Sequence, residues 1–539
     1  MAKQMKGGHA VIATLEANGV DTVFGIPGVH TLEIYDALYA SRIRHILARH
    51  EQGAGFMADG YARASGKPGV AIIITGPGLT NVSTPVGQAY TDSSPVLIIS
   101  AEVERENAGR MRGNLHDMND QLGLMRHLTK WNTQVNDVAD IPAAINDAMR
   151  QMQSGRPRPT HVQIPIDVLA ESADVEITAC PEGIRRRPSQ ESIDAAARLI
   201  QSANRVVIYA GGGAVESGVD GVLSELAESL DAPVITSTPG KGAIPEDHPL
   251  SFGTTFYGWT DALGDILDGS DVGVIIGSKL GAMSTSNWTL PLPKRLIHID
   301  IDSAELGRNY PVEVKVHGDA RLGVEMLLDA IRADGETAAS GRWPRAELTR
   351  LRQQAQHQAA PSATYKAYID ALRDALPRNG IITHDMTSLS YMCHRSFPAY
   401  ASRTYFSPHG YGTLGFSMPV AIGAKLARPE REVVAVVGDG GYQFTMEELA
   451  VAIQHEVTLP IVIFNDSTYT AVKRGMDKSQ RYVGVDLVNP DYVKLADAYG
   501  IPGVRANDAD ELAAAIREAQ RRSGPTIIDT PIPSPKEDA

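Results

Sequence analysis

The sequence predicts an α/β protein built of three consecutive doubly wound parallel-sheet domains. Three observations carry this. Short apolar, β-branched runs end in glycine-rich breaks and give way to helical spacing, the pattern of βαβ units. The order strand, glycine-rich break, helix, proline-led strand occurs near both ends of the chain, from Val70 to Ile99 and from Val433 to Phe464, as two related domains would show. Two polar stretches, about 173–190 and 335–362, divide the 539 residues into segments of domain size. The expected domains are 1–172, 190–335 and 363–539.

In the first domain, Val23-Phe24-Gly25-Ile26-Pro27-Gly28 reads as a strand end with a glycine turn. Ile43 to Leu47 is a second strand, ending at Arg49-His50-Glu51, and Gly53 to Ala64 is a helix of small residues. Val70 to Ile74 is a third strand, broken by Thr75-Gly76-Pro77-Gly78. A helix through Asn81 and Gln88 follows, and Pro95 opens the strand Val96 to Ile99. Taken alone, Glu51 reads as a carboxylate at a helix start, where the dipole favours it. His116, in Leu115-His116-Asp117-Met118-Asn119-Asp120-Gln121, reads on its own as a structural histidine.

In the second domain the strands are Val206 to Tyr209, leading into Gly211-Gly212-Gly213, then Val234 to Thr236, Val272 to Ile276 and Leu296 to Ile301. No GxGxxG opens a helix, so the dinucleotide signal is weak. The second linker carries helical spacing around Glu347 to Gln354.

In the third domain Ile381-Ile382 leads into Thr383-His384-Asp385-Met386-Thr387-Ser388. Val433 to Val437 is a buried-strand run that stops at Gly438-Asp439-Gly440-Gly441. Met446, Leu449, Ala450 and Ile453 follow at helical spacing, and Pro460 opens the strand Ile461 to Phe464, which ends at Asn465-Asp466. Adjacent strand ends of a parallel sheet meet in the crevice where ligands bind. Asp439 and Asp466 can there hold one hard cation, and magnesium suits such oxygens and bridges to phosphate. The glycines admit close backbone approach to that phosphate. Asp-Gly after a strand is also ordinary turn chemistry.

The chain is 43% hydrophobic with a formal charge of −14 and no basic block, which argues against nucleic acid as a partner. No apolar run reaches the ~18 residues of a membrane span, and the N-terminus lacks a signal core. Two cysteines, Cys180 and Cys393, imply no disulfide framework and read as buried packing residues. A soluble, cytoplasmic protein is expected.

Several motifs together resemble the thiamine-diphosphate-dependent enzymes of the acetolactate-synthase-like superfamily. They are Gly438-Asp439-Gly440 with Asn465-Asp466, the RHEQGAGFMADGYAR segment from Arg49, Gly76-Pro77-Gly78 with Thr80-Asn81, and Gly412-Thr413-Leu414-Gly415-Phe416 with Pro419. The resemblance runs along nearly the whole chain and implies thiamine diphosphate and Mg2+ as cofactors. It implies Asp439, Asp466 and the backbone carbonyl of Thr468 as metal ligands. It places Gly28, Thr75, Asn81, Ser388, Gly412, Gly438, Gly440 and Gly441 against the cofactor, with Leu414 as the apolar wedge that holds it bent. Glu51 matches the glutamate that exchanges a proton with the aminopyrimidine ring, and His116 lies where the family reaches its substrate. A homodimer or homotetramer with active sites shared between subunits is implied. The arginine-bearing segment that binds FAD in acetolactate synthases corresponds here to GSKLGAMSTSNW, from Gly277, without arginine, so FAD is not expected.

Within the superfamily, VFGIPGVHTLEIYDAL, the segment around Glu51, and GYGTLGFSMPVAIGAKL look most like 5-guanidino-2-oxopentanoate (2-ketoarginine) decarboxylases. The Phe-Gln-Glu run usual in acetolactate synthases is missing near His116, and so is their tryptophan after the metal motif. The resemblance thus implies non-oxidative decarboxylation of a 2-oxo acid through an enamine, with release of carbon dioxide and an aldehyde. The alternative is carboligation of the enamine to a second 2-oxo acid. A non-catalytic paralogue that merely binds the cofactor is disfavoured, because Glu51, Asp439 and Asp466 are all present. Lys473 and Arg474 follow the metal motif. Either both are solvated on an outer helix face or one points inward, where it would repel 2-ketoarginine. The expectation is that 2-ketoarginine is not the best substrate and that a short neutral or acidic 2-oxo acid such as pyruvate is turned over at least as well.

Overall fold

The computed structural model describes residues 2–333, apart from 182 and 184, and residues 343–532. They form three six-stranded sheets in which every pairing is parallel. Strand runs such as Val433 to Val437 and Ile461 to Phe464 are buried throughout, because helices cover both faces of each sheet.

The N-terminal sheet runs, edge to edge, Arg44–Leu47, Thr22–Gly25, Gly69–Ile73, Val96–Glu102, Thr160–Pro165, Trp131–Gln134. The C-terminal sheet runs Tyr405–Phe406, Ile381–His384, Val433–Gly438, Leu459–Asn465, Pro525–Pro531, Gly503–Arg505. Numbered by sequence within each sheet, both orders are 2-1-3-4-6-5, so the two end domains share one topology. The central sheet has Ser251–Thr255, Val234–Ser237, Val206–Ala210, Val272–Ile276, Arg295–Asp300, Val314–His317, the order 3-2-1-4-5-6 of dinucleotide-binding sheets. In each end sheet the winding reverses between the first and third strands, which opens a crevice at their carboxyl ends.

One apolar core joins the two end domains, with Phe56 and Met57 from the first and Phe416, Met418 and Val420 from the last. The Glu51–Ser65 helix crosses the Ser417–Ala427 helix at glycines. A Cβ on Gly60 would lie 2.1 Å from the Val420 carbonyl oxygen, and one on Gly423 would lie 1.9 Å from that of Met57. Only hydrogen fits at either position.

The structure departs from the sequence reading in places. The stretch read as a first linker begins with a strand, Ser172–Val175, that pairs antiparallel with Lys3–Lys6. In the second stretch, 334–342 lies outside the described residues, while Arg345–Ala359 is a helix longer than expected. Its Leu348, Leu351 and Ala355, with Trp343, pack onto the central domain. The helical spacing after Gly441 is broken into a turn of helix at Asp439–Tyr442, a 3-10 turn at Met446–Glu448 and a helix at Leu449–Gln454. The chain bends there because the Thr445 hydroxyl donates to the Gly415 carbonyl at 2.9 Å and Glu448 turns toward the first domain. Cys393 is buried, but Cys180 is only half-buried. No helix among the described residues is long and apolar enough to cross a membrane.

Candidate active site

Every sequence-derived candidate lies at or beyond the carboxyl end of a strand in one of the end sheets. In the first domain Glu51 is the first residue of its helix and 9% exposed. Asn81, on the Pro77–Asp92 helix, donates from Nδ2 to Glu51 Oε2 at 2.9 Å. Gly76 turns the chain with φ +63°, and a Cβ there would sit 2.5 Å from the His116 carbonyl oxygen. The Gly76 N–H donates to Gln121 Oε1 at 3.1 Å, and Gln121 Nε2 donates to the Ala101 carbonyl at 2.7 Å. The loop carrying His116 is thereby fastened onto the turn that starts the Asn81 helix. Thr75 is buried with its hydroxyl lacking a protein partner. Gly28 is half-buried and closes a turn through Thr31 Oγ1 at 3.2 Å.

In the third domain Asp439 is 3% exposed and Asp466 half-buried. Burial pushes the Asp439 carboxyl up to about 6; the Asn489 amide pulls the other way, and the Asp466 carboxylate adds to the rise. Burial also raises Asp466, which accepts a hydrogen bond from the Thr470 hydroxyl. A buried carboxyl whose affinity for a proton is raised by a neighbouring carboxylate is suited to share a cation with it. Among the described residues no cluster of three or more His, Cys, Asp or Glu side chains could hold a metal. A cation at Asp439 and Asp466 would have to draw on backbone carbonyls, water or phosphate for its other oxygens. Thr468 follows Ser467, which has φ +53°, and its hydroxyl donates to the Val485 carbonyl at 2.8 Å.

A Cβ on Gly440 would lie 2.4 Å from the Tyr469 ring, and one on Gly441 2.6 Å from Asp385 Oδ2. Gly438 has more room, with Thr387 at 3.3 Å. Ser388 is half-buried at the start of the Ser388–Ser396 helix. Gly412 is exposed with φ +73°, and Leu414 is half-buried in the same turn.

Three residues that no motif singled out tie this site together. Glu448 is fully buried and accepts from the Arg49 N–H at 3.2 Å and the His50 N–H at 2.8 Å, so the third domain grips the chain just before Glu51. Burial pushes its carboxyl up to about 7. Asp385 accepts from the Gly415 N–H at 2.9 Å and fixes the Leu414 turn; burial pushes it up to about 7. Asn489 donates to Asp439 Oδ2 at 2.6 Å and to Asn465 Oδ1 at 3.1 Å. The only advance signal was for Asp385, in the THDMTS run.

Lys473 does not offer a free cation. Its Nζ donates to Asp486 Oδ1 at 2.6 Å and lies 5.7 Å from the Tyr482 ring centre. Segment 485–487 is bridged to 467–469, which brings Asp486 into reach. Arg474 is exposed. Among the described residues Glu51 and Asp439 are each held by their own asparagine, Asn81 and Asn489.

Comparison with known proteins matches this arrangement along the chain. Residues 5–124 match the thiamine pyrophosphate enzyme N-terminal TPP-binding domain, 193–327 the central domain and 385–530 the C-terminal TPP-binding domain. The chain is 39% identical over 541 residues to the probable 2-ketoarginine decarboxylase AruI of Pseudomonas aeruginosa, covering 98% of this chain and 94% of that protein. It is 35% identical over 548 residues to the probable acetolactate synthase large subunit of Methanocaldococcus jannaschii, covering 97% and 91%. It is 31% identical over 540 residues to the acetolactate synthase isozyme 1 large subunit of Escherichia coli, covering 98% and 94%. With all three of its domains matched and its end sheets wound alike, the chain belongs to the thiamine pyrophosphate enzymes.

Proposed function

We propose that the protein decarboxylates a 2-oxo acid non-oxidatively, using thiamine diphosphate and Mg2+, and releases carbon dioxide and an aldehyde. The observation that carries the reading is the pairing of a buried, asparagine-held Glu51 with the neighbouring carboxylates Asp439 and Asp466, both raised by burial, beside a glycine cradle. Those residues fit the cofactor. The two carboxylates and the Thr468 carbonyl would hold the metal. Gly438, Gly440, Gly441 and Ser388 would meet the diphosphate through backbone and hydroxyl donors. The orphaned Thr75 hydroxyl, with Gly28 and Asn81, would face the rest of the cofactor from the first domain.

When bound, the thiazolium supplies a sink for the electron pair left by departing carbon dioxide. The chain supplies the proton handling. Glu51 would hold the proton exchanged with the bound cofactor on one carboxylate oxygen, while Asn81 fixes the other. Leu414 would press on the bound cofactor as an apolar wedge, a proximity effect. His116 borders the substrate.

The working unit in this reading is a homodimer or a homotetramer, with Glu51 of one subunit facing Asp439 of another. Exposed apolar side chains border both strand-end crevices: Val29 and Leu115 are each 61% exposed, Tyr411 52% and Phe444 48%. Apolar patches of that kind mark interfaces.

The second reading, carboligation to a second 2-oxo acid, is favoured by the full-length likeness to acetolactate synthases. A screen of 2-oxo acids with reconstituted enzyme separates the two. Equal release of carbon dioxide and aldehyde is expected. A hydroxy-oxo acid as main product from pyruvate would overturn the decarboxylase reading.

A further inference from the structure

We propose that His30 works with His116 as the proton-delivering pair of this site. The proposal rests on the decarboxylase reading above. His30 follows the Thr22–Gly25 strand through the Val29–Thr31 turn, and His116 lies in the loop beyond Val96–Glu102. Their ring centres are 5.1 Å apart, with the planes tilted by 38°. His30 is only 6% exposed, although Val29 beside it is 61% exposed. The Nδ1 atoms of both rings are buried and without a protein partner. Buried polar atoms are rarely left so, and two such atoms on facing rings need a reason. His116 also has φ +65°, in the left-handed region that non-glycine residues seldom adopt and that collects at functional sites.

The surroundings of His30 bear on its hold on a proton. Burial lowers the affinity of His30 for a proton, the facing His116 lowers it further, and Glu104 opposes both. With Nδ1 walled in, Nε2 is the nitrogen left to meet a ligand.

Decarboxylation of a 2-oxo acid breaks the bond to the carboxylate carbon and consumes one proton for each aldehyde formed. The imidazolium gives its Nε2 proton to the carbon that has lost carbon dioxide; a C–H bond forms and the ring becomes neutral. The pair then takes a proton back from water, and no oxidant or reductant is needed. The same delivery favours aldehyde release over carbon–carbon bond formation.

The test separates the two halves of the reaction. Holoenzyme is mixed with pyruvate or 2-ketoarginine, and carbon dioxide and aldehyde are timed separately in the first turnover. In His30→Gln, carbon dioxide release should stay within about threefold of wild type while aldehyde release falls about 10²-fold or more, the usual scale of lost acid–base help. Aldehyde release within threefold of wild type would overturn the proposal. So would a parallel fall of both steps with loss of thiamine diphosphate affinity, which marks a structural role. A second arm uses cofactor-free protein with 13C-labelled histidine. His116→Gln should raise the midpoint of the His30 titration, and an unmoved midpoint overturns the pairing. A wild type that releases no carbon dioxide removes the underlying reading instead, and shows it in the control before any variant is scored.

Discussion

Adding one methyl group at the crossing of the two end domains should loosen the whole molecule. Gly60→Ala puts a Cβ 2.1 Å from the Val420 carbonyl oxygen, and Gly423→Ala puts one 1.9 Å from that of Met57. Ordinary contact begins at 3.4 Å, so each substitution demands a shift of more than an ångström. The obstacle is helix backbone in both cases, which cannot rotate aside as a side chain can. Helix propensity favours alanine over glycine by ~1 kcal/mol. Overpacking opposes it by ~1–3 kcal/mol, and by more where backbone must move. The expected net loss is ~2 kcal/mol for either variant, and less than additive for both together, because they relieve one crossing. Gly475→Ala is the control: it lies in the Thr470–Met476 helix with nothing within 4 Å, so propensity alone should make it neutral or stabilising. Thermal unfolding of the three variants in parallel measures this. Because Glu51 begins the helix that carries Gly60, turnover should fall with stability in Gly60→Ala and be unaffected in Gly475→Ala. A Gly60→Ala protein as stable as Gly475→Ala would refute the reasoning.

Three further outcomes are expected. Glu51→Gln should retain thiamine diphosphate and lose ~10²–10⁴ in turnover; near-wild-type kcat would remove Glu51 from the proton relay. Asp439→Ala should lose cofactor retention even at high magnesium, read by calorimetry, and mixing its subunits with Glu51→Gln subunits should restore part of the activity; no recovery after proven subunit exchange would rule out a shared site. Asp486→Asn should free the Lys473 charge and lower kcat/KM for 2-ketoarginine relative to pyruvate about two- to fivefold, the scale of an exposed pair; an unchanged ratio would place that pair beyond the substrate's reach.

The strand-end chemistry was legible because it is local in sequence. A buried parallel strand announces itself by an unbroken apolar run, and the residue that can meet a ligand is the first polar one after it. Thr75 and Asp439 follow that rule, Asp466 comes one residue after the polar Asn465, and Glu51 two residues after Arg49; the structure places each beyond a strand end. What escaped the reading is what distant segments contribute. Glu448 lies 399 residues from the Arg49 amide it holds, and Asn489 lies 50 residues from Asp439. Neither has any spacing that marks it. The Arg345–Ala359 helix escaped for another reason: its apolar face is only Leu348, Leu351 and Ala355, and its charged remainder looks like linker.

The shared strand order gives the two end domains equivalent positions with different tasks. In both sheets the segment after the second strand approaches the crevice; in the first domain it carries Glu51, in the third Gly412 and Leu414. After the third strand stand Thr75 and Asn81 in one domain and Asp439 in the other. After the fourth stand His116 and Asp466. One fold thus places a carboxyl group and amides at one crevice and, in the proposed reading, carboxylates suited to a cation at the other. A cofactor with a nitrogen heterocycle at one end and a diphosphate at the other needs those two chemistries, and needs them facing each other. The central sheet has a different strand order, so it is not a third copy of that unit. The two end domains instead make direct contact through the glycine crossing and a common core. A disturbance of that crossing therefore reaches both crevices at once, which is why a buried methyl group far from any reacting atom should cost activity as well as stability.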